Sequence, residues 1–179
     1  MRTLLVAALT SIALSAPVAR PIDVARSKAT FEVTHVFVEH VVGTVPIQSG
    51  TIVLKPGSAI PISAAAVLDA TRISSGDPDR DASLRSTDFF DAKRFPTWTF
   101  ASTKVVPKGV ASFEMDGDLT IHGVTQPEHL DVTVTGDAAD PSYHATAHID
   151  RHVFGMATTR LDPAIGGVVD TTLDITLKP

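Results

Sequence analysis

The 179-residue chain has no cysteine. That excludes disulfides, thiol nucleophiles and Cys-ligated zinc or iron–sulfur centres, and it remains compatible with an oxidising, exported compartment. Aromatics are scarce, with one Trp and one Tyr, and no basic run offsets the 20 acidic against 15 basic residues. Nucleic acid is therefore excluded as a partner. No GxSxG elbow, GxGxxG turn or P-loop occurs, and no HExxH pair or close histidine–carboxylate ligand set is present, so nothing selects an enzyme, a metal site or a cofactor. The one long apolar run follows Arg2 and occupies positions 4–16, too short and too wrongly flanked for a spanning helix. It reads as a secretory signal over residues 1–19, cleaved after Ala16 or Ala19, and places the protein in the periplasm. Loss of Arg2 leaves the mature chain one unit more negative than the precursor's −5.

Roughly 160 residues remain, enough for one domain with its own core, and no Ser/Gly-rich linker divides positions 20–179. Their apolar pattern has period two. Phe31, Val33, His35 and Phe37 share one strand face. Val41–Leu54 reads as one long strand bent at Gly43 and weakened near Pro46 and Gly50. Further strands follow around Ile62–Ser74, Trp98 and Phe100, Phe113–Ile121, Leu130–Val134, Ala145–Ile149 and Val169–Leu177. About eight strands with one polar face each suit an all-β protein built as an eight-stranded antiparallel barrel, either filled or holding one slim ligand; a two-sheet sandwich alternates in the same way.

Seven histidines invite a metal reading, but His144 and His148 lie four positions apart on one strand, about 13 Å at ~3.3 Å per residue, too far to share an ion. His35, among phenylalanines, is either a satisfied interior histidine or a ligand contact. The segment Arg80–Phe100, RDASLRSTDFFDAKRFPTWTF, interleaves charges with Leu84, Phe89, Phe90 and Phe95, and reads as a short helical cap over an apolar space. Arg80 and Arg85 either pair with Asp81, Asp88 or Asp91 or meet an anionic head group. Trp98, Phe100 and Phe113 are core or ligand lining.

That segment, together with AxFEVTH, GDLTIHGVTQP at Gly117–Pro127 and RHVFGM at Arg151–Met156, resembles the YceI-like family over nearly the whole mature chain. The resemblance implies a lipocalin-like barrel with an elongated apolar interior that binds a polyisoprenoid or other long-chain apolar lipid without catalysis or cofactor, for storage, transport or stress adaptation. A quinone or another small apolar molecule, or a ligand-free structural module, is the alternative. It also implies a possible homodimer. Carried onto this chain, the candidate ligand-binding residues are His35, Phe37, Trp98, Phe100, Phe113, Met115 and Leu119 in the tunnel and Arg80, Asp81 and Arg85 in the cap; Ala145 and Ala147 join them from the strand pattern. Two departures stand out: GTVPIQSG lacks the phenylalanine that relatives place after this glycine, and Val153 stands where an acidic residue is common.

Overall fold

The computed structural model describes residues 16–36, 39–156 and 164–179; the expected signal segment up to position 15 and Phe37 lie outside them. Ten antiparallel strands form one curled sheet: β1 (Val18–Pro21), β2 (Lys28–His35), β3 (Glu39–Thr44), β4 (Ile47–Leu54), β5 (Pro61–Asp69), β6 (Thr97–Pro107), β7 (Ser112–Ile121), β8 (Val124–Thr135), β9 (Ser142–Asp150) and β10 (Val168–Thr176). Among the described residues one α-helix, α1 (Pro78–Arg85), lies between β5 and β6, after a 3-10 turn at Ala70–Arg72.

The all-β architecture with a short helix agrees with the sequence reading, but there are ten strands rather than eight and the ladder does not close into a barrel. The order runs β1-β4-β5-β6-β7-β8-β9-β10-β2-β3, leaving β1 and β3 as the two ends. Val41–Leu54 is two strands because the chain breaks at Val45–Pro46, where proline has no N–H to give a ladder and the Val45 N–H donates to Ala29 O at 3.1 Å. The other additional strand, β1 (Val18–Pro21), pairs with β4 in the register Val18↔Leu54 to Pro21↔Thr51, at a place where the apolar N-terminal pattern masks any strand signal.

The gap between the ladder ends is crossed by separate devices at two places. Near the C-terminus, Ile22 bridges Leu177, the Lys178 N–H donates to Pro21 O at 2.9 Å, and the Arg20 guanidinium donates to Lys178 O and Ala139 O, each at 2.7 Å. At the other place Thr44 and Ser74 exchange backbone hydrogen bonds of 2.7 and 2.9 Å, so the chain leaving β5 completes the wall beside β3.

Two positions in that wall require glycine. A Cβ on Gly43 would meet the Phe31 ring and lie 2.7 Å from Ser74 O; one on Gly117 would meet the Phe100 ring and lie 2.8 Å from Ala101 O. Each glycine lets an aromatic ring lie flat across its neighbour strand.

Arg151, in a 3-10 turn after β9, is buried, and its guanidinium donates to Met156 O (2.6 Å), Gly166 O (2.8 Å) and Ile165 O (2.9 Å). One charged fork thus satisfies three carbonyls and ties two chain segments to the sheet. Replacement by Leu strands those acceptors, so Arg151→Leu is expected to lower unfolding free energy by about 2–5 kcal/mol, measured by urea denaturation; a loss within experimental error would refute this role.

Candidate functional site

Along each strand the inward positions divide at one level. On one side of it Phe113 and Met115 of β7, Val132 and Val134 of β8, and Tyr143 and Ala145 of β9 pack into a buried cluster. Phe113 and Tyr143 meet edge to face at 6.1 Å between ring centroids, and the Tyr143 hydroxyl donates to Ala59 O at 2.9 Å. Burial pushes that hydroxyl's pKa up to about 12, so it stays a neutral donor. On the other side Leu119 of β7 lines a cavity of 380 Å³, and Leu130 and Ala147, which belong to the buried cluster, also face it and mark the boundary. The interior is therefore half filled and half hollow.

The cavity lies within the ~300–1,000 Å³ range of small-molecule sites and is walled mainly by apolar side chains, with Arg80, Ser83, Leu84, Phe89 and Phe90 contributed by the cap. Asp77 caps α1, accepting from the N–H groups of Asp79 and Arg80 at 3.0 Å, with Pro78 in the first turn. Phe90 packs on Trp98 at 4.6 Å between centroids. The Trp98 Nε1 is buried with no acceptor among the described residues.

Asp81 fastens the helix to the wall. It is buried, and it accepts from the Ser75 N–H (2.5 Å), the Ser75 hydroxyl (2.7 Å) and the Ser74 hydroxyl (3.0 Å). Burial by itself would raise its pKa, but these bonds and the nearby Arg85 charge together outweigh burial and hold it below the usual carboxylate value. Arg85 donates to Ile73 O at 3.0 Å, and Arg80 reaches Glu39 of β3 at 3.5 Å. Of the pairings open from sequence, Asp81 is thus a neighbour of Arg85, whereas Arg80 takes its carboxylate from the sheet.

Of the residues expected to bind ligand, His35, Arg80, Trp98, Phe100, Leu119 and Ala147 line the cavity. Phe113, Met115 and Ala145 sit in the filled half, Asp81 and Arg85 anchor the cap, and Phe37 lies outside the described residues. The sequence reading misses Glu128, whose period-two spacing from Leu130 is the available signal, and it places Leu84, Phe89 and Phe90 in the cap without naming them among the ligand-binding residues. Glu128 is half-buried; burial first, and the Asp150 charge second, raise its pKa.

Histidines outside the cavity form cross-strand pairs with carboxylates: His144 with Asp174 (2.8 Å), His148 with Asp170 (2.6 Å), His40 with Glu32 (2.7 Å) and His129 with Asp116 (2.7 Å). Glu114, His129 and Asp131 bring donor atoms within 4.8 Å of one another, but Glu114 is already bound to Lys108 at 2.6 Å.

A YceI-like domain model matches residues 21–178. A UPF0312 protein of Vibrio cholerae is 34% identical over 138 residues, covering 74% of this chain and 73% of the relative. One of Shewanella putrefaciens is 30% identical over 148 residues, covering 79% and 78%. Among solved structures, Burkholderia cenocepacia BcnA superposes with a TM-score of 0.76 at 22% identity, over 88% of this chain and 99% of that one. A polyisoprenoid binding domain from Saccharophagus degradans gives 0.68 at 14% identity, over 88% and 97%.

Since its lowered pKa makes the Asp81 carboxylate stabilising above the ordinary Asp value and progressively less so as pH falls through the folded pKa, Asp81→Asn is expected to be less stable than the parent at neutral pH by about 1–3 kcal/mol. The difference should shrink in acid below about pH 4. Denaturation midpoints measured from neutral pH into acid check this, and a gap that widens on acidification would contradict it.

Proposed function

Because the chain belongs to the YceI-like domain family, we propose that it is a non-enzymatic periplasmic carrier, holding a slim apolar molecule such as an isoprenoid or related lipid in the hollow half of the sheet. The observation that supports this reading is the apolar cavity roofed by α1 and the phenylalanines after it. The Saccharophagus degradans neighbour, described as polyisoprenoid binding, favours an isoprenoid among apolar ligands.

The filled half limits how much ligand is enclosed. At roughly 30 Å³ per water-sized group, 380 Å³ holds about 13 non-hydrogen atoms, or two to three isoprene units. A longer chain leaves its remainder at or beyond the mouth. Enclosing that many carbon groups at ~0.8 kcal/mol each yields about 10 kcal/mol. Association costs of at least ~4 kcal/mol reduce this to ~6 kcal/mol, a dissociation constant of roughly tens of micromolar. Apolar contact alone therefore makes a reversible carrier.

Trp98 is the chain's one tryptophan and it lines the cavity, so its emission reports occupancy. Titration with farnesol is expected to give a saturable change in Trp98 fluorescence. Ala147→Phe, which fills the hollow half, should weaken binding at least about tenfold while the fold survives; Ala145→Phe, in the filled half, should instead lower stability by about 1–3 kcal/mol. Unchanged affinity in a folded Ala147→Phe protein would exclude this cavity as the binding site.

A further inference from the structure

The strands around the cavity are not equally joined at its level. β9 and β10 stay in register from Thr176↔Ser142 to Val168↔Asp150, and β7 and β8 from Ser112↔Thr133 to Ile121↔Val124. Where β10 and β2 part, backbone bonds continue the seam, from the Gly166 N–H to Thr34 O (2.8 Å) and from the Val36 N–H to Ala164 O (2.6 Å). The seam between β8 and β9 differs. Its ladder runs from Thr135↔Ser142 to Asp131↔Thr146 and stops there, although β8 begins back at Val124 and β9 runs on to Asp150. Past the stop, Glu128 and Leu130 on one lip and Ala147 and Ile149 on the other line the cavity. The far end is tied by a side chain: Gln126 Nε2 donates to Val153 O, in the 3-10 turn after β9, at 3.2 Å. The wall thus has a window, framed by the ladder at one end and by that turn at the other.

The residues on the two lips explain why the ladder stops. The Val134 N–H donates to Ala111 O on the β7 side at 2.8 Å, and β8 pairs with β7 without a shift of register. Alternate residues counted from Val134 therefore turn their N–H toward β7, and those between, Pro127 among them, turn toward β9. Proline has no N–H to give, so β8 behaves as an edge strand on that side. The lips also carry like charges, Glu128 and Asp150, which oppose closure. Resting on the carrier reading above, we propose that this window is the doorway by which the ligand reaches the cavity while the cap stays in place. Passage there breaks no ladder bond. Passage under the cap would break the three bonds to Asp81 and unpack Phe90 from Trp98.

The chain has no cysteine, so engineered thiols are the only ones present. His129 and His148 stand at the next outward positions past Asp131↔Thr146, and facing positions of a closed antiparallel ladder lie within disulfide reach. In the mature protein carrying His129→Cys and His148→Cys, oxidation or a short thiol-to-thiol linker closes the window; in one carrying Glu39→Cys and Arg80→Cys it pins the cap to β3 across their 3.5 Å contact. Each is compared with its own reduced form by stopped-flow Trp98 fluorescence, with farnesol as the probe. Closing the window is expected to slow uptake and release together, each about tenfold or more, with the dissociation constant little changed, whereas pinning the cap leaves both rates within about twofold. Rates unmoved by closing the window, or slowed only by pinning the cap, overturn the doorway and leave the carrier reading intact. Amide exchange on the unsubstituted protein checks the window itself: the His129 N–H, on the lip, should exchange about a hundredfold or more faster than the Asp131 N–H, on the ladder. Equal protection of the two means a closed seam and overturns the proposal. No response to farnesol from the parent or the reduced variants overturns the carrier reading and the doorway together.

Discussion

The cavity depends on a short chain of bonds centred on Asp81. The sheet does not close on itself, so the edge beside β3 needs something else to complete it. Ser74 provides the completion by exchanging backbone bonds with Thr44. Its hydroxyl, together with both donors of Ser75, then binds the Asp81 carboxylate and fixes α1 against that seam. From this anchor Leu84, Phe89 and Phe90 extend over the hollow half. One carboxylate links wall completion to roof placement, and a charge-assisted bond inside a partly dry region is among the stronger ways to do it. The arginines reinforce the same joint, Arg85 through Ile73 O and Arg80 through Glu39 across the seam.

Much of this was legible in the residues, because a sheet with one wet face writes period two into its sequence. Val169–Leu177 and Leu130–Val134 alternate cleanly and form β10 and β8. Two kinds of fact were not legible. Strand count failed where local chemistry interrupts a ladder without interrupting the apolar pattern, at Val45–Pro46, and where an export pattern overlies a strand, at Val18–Pro21. Cavity height failed for a different reason. Met115 and Leu119 share a face of β7, and Ala145 and Ala147 share one of β9, yet only Leu119 and Ala147 line the cavity. Alternation tells which face a residue takes; the level along the strand follows from register and from what the far side contributes. The resemblance carried in the motifs predicts the family and the cap, and the positions of Phe113, Met115 and Ala145 needed coordinates.

The division into halves has a physical logic. A curled sheet packed with side chains throughout would be more cohesive, since a dry void forfeits dispersion contacts along its lining. Here the bulky cluster around Phe113 and Tyr143 concentrates cohesion at the end where Arg20 and the Ile22–Leu177 bridge seam the sheet. A second buried cluster, with Phe154, Ile73 and Trp98 in it, supports the strands at the cavity end. The hollow half is kept from collapsing by parts that cannot easily move inward: Phe31 and Phe100 are laid flat over glycines, and Arg151 is clamped to three carbonyls. The cap is joined to the wall both by the Asp81 bonds and by Leu84, Phe90 and Ala92, which pack on the cluster around Trp98. A molecule that enters restores the missing contacts, and it stabilises the folded state in proportion to its concentration over its dissociation constant. The filled half provides cohesion that lets the hollow half stay unfilled.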